Sequence, residues 1–313
     1  ARGARAAARG SGRAPPPGAP PAARSMAFDF DDLEEQDPTE LLKGPPVFCA
    51  WYSGGFTKED GQALVSQLIG SIRQEYRQVD TLVLHFPNEY GMIEEGSDPW
   101  PKYVDRLIEE IDSDPKRAGR PLLLFGHSRG NAPAMTVASR LKDRVLRVYI
   151  AASSAPVHGQ PSPFQTLSEG FKQSGDIGLL AWFYSLQPEN MMLKSMLEEV
   201  HKGTPVEDMP FLNKMLTLMR QQYKDAMWPD MERDFSGVTA PITAFGPRLD
   251  LGCSREGMEG WKSWTSCPER SKVKMISGAT HMGCVTKTLL DGVESCVLID
   301  EILRDIGAIL KAC

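Results

Sequence analysis

The chain has 313 residues, of which 41% are hydrophobic and 24% charged, so a wholly disordered or fibrous protein is excluded. Net charge is −6. Residues 1–25 carry five Arg and no acid, which leaves 30 basic against 41 acidic groups, net −11, in residues 26–313. An acidic body repels a phosphate backbone, which argues against nucleic-acid binding. No apolar run approaches the roughly 18 residues that a membrane-spanning helix needs.

Residues 1–25 are built almost entirely from Ala, Arg, Gly and Pro. Such a segment buries too little surface to offset its ordering entropy, and disorder is expected. It lacks the apolar stretch of a secretory signal. Two readings stay open for it: an organelle transit segment (plastid or mitochondrion), or sequence translated upstream of a start at Met26. Otherwise a cytoplasmic location is expected. Residues 26–44, acidic from Phe28 to Glu40, read as a linker into a folded part over 45–313.

From Pro45 onward, short apolar runs alternate with amphipathic stretches. Val47–Trp51 predicts a buried strand that ends at Ser53-Gly54-Gly55. Leu64, Val65, Leu68, Ile69 and Ile72 form a helical stripe over 60–75. A second strand is predicted at Thr81–Phe86, with His85 inside it, and a helix marked by Tyr103, Leu107, Ile108 and Ile111 follows. Pro121–Phe125 predicts a third strand, Arg129–Leu141 a helix, and Val145–Ala151 a fourth strand. This alternation predicts an α/β fold, a mostly parallel sheet with helices on both faces.

The rhythm stops over 157–235, where eight of the 14 Met fall between Met191 and Met231. A helical insertion is expected there. It reads either as a subdomain packing its own core or as a deformable lid over an apolar ligand, and both can hold together. Strands return at Pro241–Gly246 and Val273–Ser277, and a closing helix at Val297–Leu310.

Gly126-His127-Ser128-Arg129-Gly130 is a Gly-x-Ser-x-Gly element that leaves a strand and opens a helix. Such a turn forces backbones together, so Gly126 and Gly130 must lack side chains, while the Ser128 hydroxyl is presented at the strand's end. A serine hydroxyl needs a base to act as a nucleophile at neutral pH. Of the five His, His281 alone follows the last strand, where a base belongs. The acid belongs in the loop after the preceding strand, which selects Asp250. Asp230 and Asp234 precede that strand, and Glu256 is a substitute. The order Ser128, Asp250, His281 is that of an α/β hydrolase. The backbone N–H groups of Arg129 and Ser53 are the expected oxyanion donors, Ser53 otherwise being part of a plain glycine turn. The six Cys form neither a CxxC pair nor a zinc spacing, suit a reducing compartment, and read as incidental thiols.

Taken in order, these motifs resemble the type II thioesterases, the free-standing editing hydrolases of polyketide and nonribosomal peptide synthesis. They are similar too to the medium-chain enzyme that releases fatty acids from animal fatty acid synthase. Val47–Gly55 looks like that family's opening strand and glycine turn, and Leu124–Gly130 matches its nucleophile motif. Tyr149–Pro156, Phe245–Asp250 with Trp261 and Thr265, and Gly278–Met282 fall in the family's order. The resemblance spans about residues 45–290. It departs at Pro87-Asn88-Glu89, where a basic residue is lost, and at Arg129, Asn131, Thr280 and Met282.

The resemblance implies a serine thioesterase that forms an acyl-enzyme on Ser128, without cofactor or metal, and acts as a monomer. The partner it implies is an acyl or peptidyl carrier protein bearing phosphopantetheine and an apolar acyl chain. Arg129 would either face the phosphate of that arm or be salt-bridged within its helix. The alternatives are an esterase or lipase-like hydrolase of oxygen esters, and a non-catalytic binding protein on the same fold.

Overall fold

The computed structural model describes residues 44–51, 58–85, 100–160, 163–224, 230–290 and 293–312. Six strands make one sheet: β1 (Val47–Trp51), β2 (Asp80–Leu84), β3 (Leu122–His127), β4 (Val145–Ala151), β5 (Ile242–Pro247) and β6 (Lys272–Ile276). Their spatial order is β2-β1-β3-β4-β5-β6, and every pairing is parallel. A parallel sheet buries both faces, which is why β1, β3 and β5 are wholly buried and apolar but for Thr243 and the terminal His127.

Alternate side chains divide the core in two. Val47, Cys49 and Trp51 pack with α2 (Trp100–Asp112) and α3 (Asn131–Leu141). Phe48 and Ala50 point the other way, against α1 (Lys58–Glu75) and α9 (Val297–Ala312). In α9, Leu298, Ile302 and Ile306 recur at spacings of four and are fully buried. Each such side chain contributes about 1.5–3 kcal/mol of transfer free energy. A largely buried Arg147 paired with a partly buried Asp305, 3.0 Å from Nε to Oδ2, and a hydrogen bond from the Tyr149 hydroxyl to Asp305 tie β4 to α9.

Between β4 and β5 lie α4 (Pro163–Leu186), α5 (Met191–His201), α6 (Pro210–Lys224) and α7 (Met231–Phe235). Gly175 interrupts α4 with φ 64°, a left-handed conformation that glycine adopts without steric cost. Leu179, Leu180, Leu193, Leu212, Met215 and Leu216 form a core separate from the sheet's. The methionines divide: Met215 and Met219 are buried in this core, whereas Met191 and Met192 are exposed.

The structure departs from expectation in detail. β2 ends at Leu84, so His85 follows the strand instead of lying in it, and Phe86 lies outside the described residues. The helix after β3 begins with a 3₁₀ turn, Ser128–Gly130, because the chain must reverse tightly there. A short antiparallel pair, β7 (Thr288–Leu290) and β8 (Val293–Ser295), was not expected. Its three-residue strands are too short to show a period, although Asp291-Gly292 between them is a hairpin signal. Another short helix, α8 (Arg255–Glu259), follows β5.

Candidate active site

Strands β1 and β3 are neighbours, yet the chain leaves β1 for α1 on one face and β3 for α3 on the other. Divergence of this kind opens a crevice at the carboxyl ends of the strands, where ligands bind in open α/β sheets. Ser128 sits at that end of β3.

The turn at Ser128 is sterically tight. His127 is still extended (φ −119°, ψ 127°), while Ser128 has φ 54°. A left-handed serine costs about 1–2 kcal/mol, and its surroundings must hold it there. A Cβ at Gly126 would lie 2.6 Å from both Asn131 Cα and Gly130 O, and one at Gly130 would lie 2.6 Å from Trp51 O. These are backbone atoms, so neither position can yield. The Asn131 amide then fastens α3 to β4, donating to Ala151 O (3.0 Å) and accepting from Ala151 N (3.4 Å). The departure at Asn131 thus has a structural job. Arg129 is buried in the 3₁₀ turn. Ser53 lies outside the described residues.

Asp250 and His281 come from the loops after β5 and β6, which are bonded to each other: Arg248 N donates to Ile276 O and Leu249 N to Ala279 O, both at 3.0 Å. Asp250 Oδ2 stands 2.6 Å from His281 Nδ1, with both side chains buried. A carboxylate only accepts, so Nδ1 donates, and Nε2 of the neutral ring is left with a free lone pair. Burial alone would raise the Asp250 carboxyl, but hydrogen bonds from His281, Gly252 N and Cys253 Sγ outweigh it and hold it below its usual value. The carboxylate therefore stays ionised beside the imidazole.

The other acids have different work. Asp230 caps α7, Asp234 pairs with Arg233, and Glu256 is exposed in the first turn of α8. Among the histidines, His158 stacks on Trp264 at 4.0 Å and pairs with Glu232, and His201 is exposed at the end of α5.

Sequence reasoning gave no role to His127, Cys253, Cys284 or Glu189. Nε2 of His127 lies 2.9 Å from His281 O, and the two rings meet edge to face at 5.1 Å. Cys253 Sγ donates to Asp250 Oδ2 and Cys284 Sγ to His281 O, both at 3.2 Å. Burial pushes both thiols far up, so they remain protonated donors. Thr280, another departure from the family pattern, donates to Glu189 Oε1 and accepts from Gly283 N, each at 3.0 Å. Among the described residues no group of three His, Cys, Asp or Glu is placed to hold a metal ion, and no helix is long and apolar enough to cross a membrane.

A parallel sheet with this turn at one strand end, and an Asp–His pair on the loops of two later strands, is the α/β-hydrolase fold. Solved structures of that fold match most of the chain. The RedJ thioesterase from the prodiginine pathway of Streptomyces coelicolor is 18% identical at TM-score 0.52, over 87% of this chain and 92% of its own. An enol-lactonase from Burkholderia xenovorans LB400 is 14% identical at TM-score 0.52, over 86% and 92%. A lipase-esterase related protein from Clostridium acetobutylicum is 15% identical at TM-score 0.50, over 85% and 95%. No family model and no curated protein matches the sequence.

Proposed function

We propose that this protein is a serine hydrolase of acyl thioesters presented on an acyl or peptidyl carrier protein. The observation that carries the reading is the buried 2.6 Å Asp250–His281 hydrogen bond, which leaves a basic nitrogen on a ring packed against the residue preceding Ser128.

In this mechanism, Nε2 of His281 takes the Ser128 proton as Oγ attacks the thioester carbonyl. The tetrahedral oxyanion is met by the Arg129 N–H and, from the loop after β1, the Ser53 N–H. Collapse breaks the C–S bond, His281 returns the proton to the thiolate, and the acyl group stays on Ser128. Water then attacks with His281 as base, releasing the acid and the serine. Asp250 fixes the tautomer and stabilises the imidazolium without itself taking the proton. The helices between β4 and β5 act as the lid over the acyl chain, with the exposed Met191 and Met192 as adaptable apolar contacts.

The thioester assignment is supported by the ordered motifs of the sequence and by a thioesterase among proteins of like fold. A second reading, hydrolysis of oxygen esters, is favoured by the lactonase and the lipase-esterase related protein of equally similar fold. Labelling by a fluorophosphonate probe, lost in Ser128→Ala, tests the serine hydrolase. Turnover of acyl-carrier and acyl-coenzyme A thioesters against p-nitrophenyl esters of equal chain length tests the substrate. Faster cleavage of the oxygen esters at every length overturns the thioester assignment, and an unlabelled, folded wild type overturns the enzyme.

A further inference from the structure

We propose that His127 is a positioning residue: its Nε2–H···O=C bond to His281 sets the spacing between nucleophile and base. The inference rests on the serine-hydrolase reading above.

His127 is 1% exposed, and its Nε2 lies 2.9 Å from the carbonyl oxygen of His281. A carbonyl accepts, so Nε2 bears the proton, and Nδ1 is left bare; it is buried and meets no partner among the described residues. Burial, with His281 nearby, pushes the His127 pKa down to about 3, so the ring is neutral in any working condition. A second positive charge therefore never opposes the imidazolium that forms at position 281.

The covalent path matters most. His127 is bonded to Ser128, so the bond to the carbonyl of His281 joins nucleophile and base through a single intervening residue. Without it, their separation would be set only across β3, β4, β5 and β6, where small shifts accumulate. Among the described residues, the other donor to the same carbonyl is the Cys284 thiol at 3.2 Å, a weak donor. His127 is thus the stronger of the two restraints on that peptide. A misplacement of about 1 Å in a reacting group costs on the order of 10²-fold in rate.

Three variants separate positioning from general support. Gln places an amide nitrogen near the site of Nε2, Asn near that of Nδ1, and Phe keeps the ring without a donor. Each is assayed for kcat and KM on one acyl thioester, for the rate of fluorophosphonate labelling, and for its thermal midpoint. For H127F we expect kcat and labelling to fall about 10–10²-fold, with KM within about twofold of wild type because no substrate contact is lost. H127Q is expected to recover about tenfold of that loss, and H127N none of it at a similar midpoint. If H127F does not fold, the H127Q-to-H127N ratio decides. Equal rates for Gln and Asn, or a wild-type kcat in H127F, overturn the proposal. A wild-type protein without Ser128-dependent labelling overturns instead the reading on which it rests.

Discussion

The neutral histidine buried next to Ser128 has a measurable effect on stability, independent of any substrate. In the unfolded chain His127 titrates at its ordinary 6.5, whereas in the fold burial holds it near 3. Between those values the unfolded state binds the extra proton, so stability is complete above pH 6.5 and declines as the pH falls toward 3. At roughly 1.4 kcal/mol per pH unit, the loss from this one group is on the order of 1 kcal/mol at pH 5.5 and on the order of 3 kcal/mol at pH 4.5. H127Q abolishes the ionisation, and every other group titrates in both proteins. The stability of wild type relative to H127Q should therefore fall by about 3 kcal/mol from pH 7.5 to 4.5. Urea unfolding followed by tryptophan fluorescence reads it directly. A relative stability that stays constant or rises on acidification refutes the buried neutral ring.

Other expectations follow from contacts already described. Gly130→Ala drives a methyl into the Trp51 backbone 2.6 Å away, and should cost at least about 2 kcal/mol by calorimetry. Ser128→Gly relieves the left-handed strain at the price of added chain entropy; the variant should be equal to wild type or up to about 1 kcal/mol more stable, yet unlabelled by fluorophosphonate. Asp250→Asn keeps the shape but permits the wrong His281 tautomer, and turnover should drop by about 10⁴-fold in steady-state assays. Asp305→Ala leaves Arg147 buried without its counter-ion. The Nε–Oδ2 approach is close at 3.0 Å but not aligned as a hydrogen bond, so the attraction is coulombic, and removing it should cost about 3 kcal/mol in urea titrations.

The sheet was legible because a doubly covered parallel strand must be apolar along its whole length. Val47–Trp51 carries that mark in full, and Val145–Ala151 and the run beginning at Ile242 carry it with one polar residue each, Arg147 and Thr243. The pattern around Ser128 was legible for a steric reason: only glycine satisfies the close approaches at 126 and 130, so the demand is written as residue type. Helix boundaries between β4 and β5 were not legible, since a segment with its own core is apolar on several faces and its period blurs. His127 carried no signal at all. Its partner lies 154 residues away, and an imidazole on a buried strand end looks the same whether or not a carbonyl awaits it. The thiols of Cys253 and Cys284 carried no signal either, although each bonds a residue only three positions earlier, because a scattered thiol reads the same whether or not it donates.

The contact between Glu189 and Thr280 has a further consequence. It is exposed, and a hydrogen bond to a carboxylate is worth about 1.5–3 kcal/mol at most, enough to bias the stance of the helices on that side but not to lock them. Thr280 meanwhile keeps a second bond, accepted from Gly283 N within its own loop. Letting go of Glu189 therefore leaves the turn around the imidazole folded. The two bonds are separable: the one to Glu189 can break while the one from Gly283 N keeps the loop that carries His281 in its turn.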